Sequence, residues 1–347
     1  MSSEGLGTPL LAWSQDEILA HRSGYHVLAD YLDGPRVVTQ RCDPSGGLAL
    51  LWTRIARRFT ASRWCVGGSL RMEWEICRRI RDGFSGPVHY LWCDRDLAFF
   101  DLLTSFMRLP LIGTFHQCDE DLHRVIRRPS ALRRFAAIIL MSESQRGYFL
   151  DQGVSESRLH LVLHGVDVDR FQPASLEAPA AFNVLSVGGT RRDFDQMRRV
   201  MEGCAEDKAL RFEVVGPDDK AHHFRGLDNV SYRVRVSDEE LLGLYRSCAA
   251  FLHLPENATA NNAMLEALAC GAPVISQKVG GVPEYVNAAC ALLSAPGDVA
   301  ATVQHLRLLA SSREKQAEMR RAARAHALTH DWRLVAEKTR GVYRRVA

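Results

Sequence analysis

Three observations predict that this chain folds as two doubly wound α/β domains: its length of 347 residues, the alternation of short apolar runs with longer helical patterns in both halves, and a break in that rhythm near residue 165. A single hydrophobic core stops growing at roughly 250–300 residues, so a chain of this length accommodates two. Apolar content of 46% and charged content of 24% match folded globular proteins and exclude a disordered or fibrous class. A net charge of +3 argues against a dedicated nucleic-acid binder, which would carry a strongly basic domain. The nine cysteines are scattered, without a C-x-x-C pair or metal-ligand spacing, which fits a reduced compartment and predicts no metal centre. The opening MSSEGLGTPLLAW lacks a basic segment followed by a long apolar one, so no secretory leader is expected. No apolar run reaches the roughly 18 residues of a membrane span. The expected location is the cytoplasm, with any work at a membrane done from its surface.

In the first half PLLAW reads as a strand, a helix is expected near Gly24 to Leu32, RVVTQ reads as a second strand, and a basic helical stretch follows. VHYLW, LIGTF and AAIIL continue as buried strands, because strands of a parallel sheet are covered on both faces and read as apolar runs. Gly165, Pro173 and Pro179 then mark a boundary, giving domains 1–165 and 166–330 and a closing helix over 331–347. In the second half FNVLSVG, RFEVVG, NVSYRVRV, AAFLHL and APVIS read as strands. Helices are expected from about Asp193, from SDEELLGLY and over the segment ending LEALACG, with two or more long amphipathic helices from Ala300 to the end.

Open parallel sheets bind ligands where strand ends run into helix N-termini, whose free N–H groups and dipole favour phosphate. Gly188 and Gly189 follow one such strand, Gly216 another, and Gly280 with Gly281 precede VPEYV. Glycine after a strand is commonly only a turn. Arg191 and Arg192, directly after the first pair, are planar permanent cations that could clamp a diphosphate there, the bland alternative being a solvated helix start. No G-x-G-x-x-G is present, so the dehydrogenase fingerprint is absent. In LHLPENATANNAMLEALACGAPVI a polar loop leads from a strand into a helix that starts around Asn261 and carries Glu266 near its middle. By residue type alone Glu266 reads as a capping or surface carboxylate, since burial without a partner is costly.

This last stretch resembles the donor-binding segment of the family-4 glycosyltransferases. LHLVLHGVDVDRFQP is similar to that family's interdomain segment, SDEELLGLYRSCAAFLHLP to its approach to the donor site, LEALACGAPVISQKVGGVPEYV to the site, and APGDVAATVQHL with DWRLVAEKTRGVYRRV to its C-terminal helices. The ordered set spans roughly residues 136–347, and the N-terminal third matches loosely. The resemblance implies the GT-B arrangement, in which two Rossmann-like domains face each other across a cleft, the first on the acceptor side, the second binding a nucleotide sugar, and the closing helix packing back on the first.

Residue by residue, Glu266 matches the second glutamate of the family's E-x7-E motif, which implies hydrogen bonds to the donor ribose. The first glutamate would fall on Ala258; Glu256 lies two residues earlier, and either it substitutes or Asn261 and Asn262 meet the donor sugar instead. Arg191 and Arg192 sit where the family places its diphosphate-binding basic pair, near Gly189, although the loop is shortened. Gly24 resembles the family's glycine-rich first loop without its doublet, Arg235 aligns with a position whose backbone meets the base, and His116 resembles a histidine that reaches the donor sugar. The implied reaction is metal-independent hexosyl transfer with retention, needing no cofactor beyond the nucleotide-diphosphate sugar as co-substrate, toward a glycan or lipid-linked glycan, as in bacterial polysaccharide assembly.

Residues 51–81 carry eight arginines against two acidic residues, interleaved with Trp52, Phe59, Trp64 and Trp74. Such a segment either rests on anionic lipid or is a solvated helix. Two other functions remain open from sequence: a nucleotide-sugar epimerase on the same fold, and a catalytically silent binding subunit, which the displaced first glutamate permits.

Overall fold

The computed structural model describes residues 8–15, 24–43, 45–102 and 109–346; residues 1–7, on which part of the leader expectation rests, and Ala347 lie outside these. The chain divides into two compact units, Met1–His164 with Trp332–Ala347, and Gly165–Asp331. Both are α/β and doubly wound.

The first unit contains β1 (Leu10–Gln15), β2 (Arg36–Gln40), β3 (Val88–Tyr90), β4 (Leu111–Phe115), β5 (Ala137–Leu140) and β6 (Leu159–Leu161). They form one parallel sheet in the order β2-β1-β3-β4-β5-β6. The two-residue period of a strand sends Leu10, Ala12, Ile138 and Leu140 into the core on one face and Leu11, Trp13, Ala137 and Ile139 into the core on the other. The helix Trp332–Val346 covers that second face: Trp332 meets Tyr25 edge-on at 5.8 Å, and the Tyr343 hydroxyl hydrogen-bonds His89 Nδ1 at 2.6 Å. The strand order reverses between β1 and β3, which places a ligand crevice at their carboxyl ends.

Two expectations in this unit are corrected. The helix expected near Gly24 to Leu32 is a 3-10 helix over Tyr25–Asp30. The basic stretch is two helices, α1 (Gly47–Ala56) and α2 (Gly67–Arg81). The chain between them leaves the helical path because Ala61 and Ser62 donate instead to the Ala98 and Leu97 carbonyls.

The second unit contains β7 (Phe182–Val187), β8 (Leu210–Val215), β9 (Val230–Arg233), β10 (Ala250–His253), β11 (Val274–Gln277) and β12 (Ala291–Ser294). Their order, β12-β11-β10-β7-β8-β9, is the 3-2-1-4-5-6 Rossmann order, whose switch point lies between β7 and β10. Capping side chains fix where its helices begin. Asp193 accepts from the Gln196 amide ahead of Phe194–Gly203, Ser237 and Glu240 close a capping box ahead of Asp238–Ser247, and Asn261 accepts from Met264 ahead of Asn262–Ala269. The tail forms three helices, Val299–Ala310, Arg313–Leu328 and Trp332–Val346, the last belonging to the first unit. Among the described residues no helix is long and apolar enough to cross a membrane.

Candidate functional site

At the switch point of the second unit, two loops are laced together by backbone hydrogen bonds. The Asp193 amide donates to Leu254 O at 3.0 Å and the Glu256 amide to Arg191 O at 2.9 Å. Gly189 has to be glycine: a Cβ there would lie 2.7 Å from the Pro217 ring. Arg191 holds a left-handed φ of 50°, which costs a non-glycine residue about 1 kcal/mol.

Arg192 is the dominant electrostatic feature of this edge. Only 6% exposed, its Nη2 donates to Val187 O at 2.8 Å and to Asn261 Oδ1 at 3.4 Å, while its Nε has no partner. Both acceptors are neutral. Burial pulls its pKa down to about 10, so it stays charged at neutral pH. A buried cation answered only by neutral dipoles is an unfavourable arrangement that an anionic ligand would relieve.

Glu266 is 5% exposed in the middle of the helix Asn262–Ala269, which removes the surface-carboxylate reading. Burial first, and the Glu266 charge second, push the Tyr245 phenol pKa well up, so the two side chains lie against each other. Asn261 caps the helix and touches Arg192; Asn262 is the half-buried first helical residue. Glu256 is exposed on the loop, and Ala258, at the family's first glutamate position, accepts from the Gly281 amide at 2.7 Å. Arg235 is exposed beyond β9 with φ 55°.

His253, at the end of β10, is a residue that sequence reasoning missed. It is fully buried with neither ring nitrogen hydrogen-bonded, and burial, with the Arg192 charge second, holds its pKa well below the usual histidine range. Its signal in the sequence was weak, a single histidine inside an apolar run.

In the first unit Gly24 takes φ 120°, a conformation open to glycine, and leads into Tyr25. His116 follows β4. Its Nε2–H donates to Leu91 O at 2.8 Å, its ring stacks on Trp92 at 3.9 Å, and Tyr25 meets it edge-on at 4.8 Å. Burial pushes its pKa down to about 3, which keeps the ring neutral although part of its surface remains exposed. The structure therefore brings Gly24, through Tyr25, and His116 together at one edge. Asp94, also missed, accepts from the His116 and Gln117 amides at 3.0 and 2.9 Å; burial raises its pKa to about 6, and its Oδ1 has no partner.

Arg191, Arg192, Glu256, Asn261, Asn262 and Glu266 gather at the β7/β10 edge of the second unit. A cavity of about 210 Å³ in this unit lies elsewhere, beside Asn183, Arg211 and Asn229 at the amino ends of β7 to β9. Ligands of such sheets bind at the opposite, carboxyl ends, so its volume does not displace the switch-point assignment. Among the described residues no group of three or more His, Cys, Asp or Glu side chains is placed to hold a metal ion.

Comparison with solved structures is decisive for the architecture. HepE of Anabaena, solved in complex with UDP and glucose, superimposes with a TM-score of 0.70 at 14% identity, covering 96% of this chain and 99% of that one. The chain has the GT-B glycosyltransferase fold. A second structure with this fold, the lipopolysaccharide outer core galactosyltransferase WaaB, gives a TM-score of 0.70 at 11% identity over 96% of this chain and 98% of that one. Residues 169–326, nearly all of the second unit, match the family model described as glycosyl transferases group 1. Sulfoquinovosyl transferase SQD2 of Arabidopsis thaliana is 29% identical over 202 residues, 53% of this chain and 39% of that protein. The MMP alpha-(1->4)-mannosyltransferase of Mycolicibacterium hassiacum is 27% identical over 253 residues, 68% and 59% respectively. The alignments thus span less than two thirds of the length of these curated relatives.

Proposed function

We propose that this chain is a cytoplasmic, retaining glycosyltransferase of family 4 that moves a hexosyl group from a nucleotide-diphosphate sugar to a glycan or lipid-linked glycan without a metal ion. The observation that carries the reading is the buried cation of Arg192, which lacks a counter-ion at the switch point of the unit that matches the group 1 glycosyl transferases. The complex of HepE with UDP and glucose supports a donor of this class.

In this reading Arg192 and Arg191 bind the diphosphate, Glu266 accepts from the ribose hydroxyls, the Arg235 backbone meets the base, and Asn261, Asn262 or Glu256 meets the sugar. Gly24 lets the backbone approach phosphate. As the anomeric C–O bond breaks, negative charge grows on the leaving diphosphate, and a preorganised buried cation is worth most at that moment. The acceptor oxygen bonds to the anomeric carbon on the face the diphosphate leaves, and its proton passes to a diphosphate oxygen. His116, held neutral with its Nε2–H donated to Leu91 O, can meet a sugar hydroxyl only as an acceptor through Nδ1, without adding charge beside the oxocarbenium-like centre.

The test is incubation with a panel of nucleotide sugars and glycan or lipid-linked acceptors, with and without chelator, reading the anomeric configuration of the product by NMR. Acceptor-dependent release of nucleoside diphosphate with retained configuration is expected. Release of an isomerised sugar without acceptor would support the epimerase, and nucleotide binding without turnover the silent subunit.

A further inference from the structure

Helix α1 carries an apolar face that no described residue covers. Leu48, Leu51, Trp52 and Ile55 are 75%, 52%, 67% and 42% exposed, and Phe59 just beyond is 65% exposed. At 3.6 residues per turn the four helical positions fall within an arc of about 100°, the width of the stripe that an ordinary surface helix turns toward its core. Here the stripe points outward: Thr53, on the opposite side, is the one residue of α1 that is buried. A patch of this kind on a globular protein marks a surface that something covers.

The charge beside it says what. Arg54, Arg58 and Arg63 are exposed. From residue 48 to residue 63 the sequence has no acidic residue. Arg57 instead anchors the helix end, pairing with Asp43 at 2.9 Å, and Asp43 in turn accepts from the Gly67 amide at 2.7 Å, so that α1 is tethered to the start of α2. An outward stripe of Leu, Trp, Ile and Phe edged by uncompensated arginines is the chemistry of an interfacial helix, which sinks its apolar side chains among acyl chains and sets its cations on acidic headgroups.

We infer that α1 docks this protein on an anionic lipid surface. The docking element is narrower than the sequence suggested: α2 buries Gly67, Gly68, Ser69, Met72 and Ile76 in its own unit and is fold, not anchor. Because α1 follows β2 at the carboxyl edge of its sheet, the edge that also carries His116, docking presents that edge to acceptors held in the bilayer. The inference stands on the surface of the first unit alone and does not depend on the donor site.

The test uses the full chain, without nucleotide, and vesicles of phosphatidylcholine with or without phosphatidylglycerol. Expected are sedimentation with the acidic vesicles only, a blue shift of tryptophan emission and release by salt. Leu51→Glu with Trp52→Glu, and separately Arg54→Glu with Arg58→Glu, should each weaken vesicle binding at least ~10-fold, while Trp52→Phe retains it. All these side chains are exposed, so melting temperature should be unchanged, and the arginine pair serves if the apolar pair disturbs folding. Failure of the wild type to bind acidic vesicles, or binding by both double variants as tight as the wild type's, would overturn the inference. So would a dimer in sedimentation velocity that Leu51→Glu with Trp52→Glu dissolves, since the face would then belong to a second copy.

Discussion

The two units are built on the same plan, a six-stranded parallel sheet with a switch point, yet their carboxyl edges handle buried charge differently. The second unit buries the Arg192 cation there without a counter-ion, and the Glu266 carboxyl within the helix that follows. It also keeps two arginines in the left-handed region, Arg191 at 50° and Arg235 at 55°. In the first unit burial keeps the histidines neutral: His116 at the edge and His89 within the sheet are both pushed down to about 3. One edge is strained and carries a buried charge without a counter-ion. At the other the buried charges are answered: Asp96 lies 3.5 and 3.8 Å from Arg41 and Arg95, and Asp94 accepts from the His116 and Gln117 amides.

Arg192→Met breaks this comparison most severely. Loss of a preorganised charge on a leaving group should lower turnover by about 10²–10³-fold. Removing a buried cation that lacks a partner should at the same time leave melting temperature unchanged or raise it, because its desolvation cost disappears with it. An Arg192 that merely held the fold together would give the reverse, a lower melting temperature, in the same calorimetric scan.

Acid tests the first unit through its buried histidine. His89 has a folded pKa of about 3 against an unfolded value near 6.5, so its contribution is present above 6.5 and is lost as pH falls toward 3. By linkage the loss reaches about 2 kcal/mol by about pH 5. The melting temperature of His89→Asn should fall less steeply than that of the wild type over that window. NMR titration should show the His89 ring still neutral there, and a midpoint near 6.5 would refute the assignment.

Arg191→Gly removes the left-handed strain together with one cation. It should stabilise the fold by up to about 1 kcal/mol, a gain opposed by the entropy of glycine. Turnover should fall by a smaller factor than in Arg192→Met, because Arg191 is only half-buried. Equal losses of activity in the two variants would remove the distinction between them.

How far the sequence could be read follows from burial. The central strands stand out as apolar runs because a parallel sheet is covered on both faces. The short edge strands β6 (LHL) and β12 (ALLS) escaped notice, although the equally exposed edge strands β2 and β9 did not. The adjacent arginines were legible as a pair, but not the difference between them: Arg192 turns inward to the end of β7 while Arg191 absorbs the φ of the turn. His253 and Asp94 were invisible for a related reason. His253 sits inside an apolar run and stands out only once the fold leaves both ring nitrogens without a partner, and Asp94, in the charged segment CDRD, only once the fold buries it under the His116 and Gln117 amides. The outward face of α1 was half legible: its composition was in the sequence, its direction was not.

The central claim is that the second unit holds a nucleoside diphosphate at Arg192 and Glu266. Calorimetric titration of the full chain with nucleoside diphosphates, repeated on Glu266→Ala and Arg192→Met, tests it most directly. The account predicts binding to the wild type that is weakened about 100-fold by Glu266→Ala, the loss of charged hydrogen bonds to the ribose, and at least as much by Arg192→Met. Wild-type binding that both variants retain would contradict it.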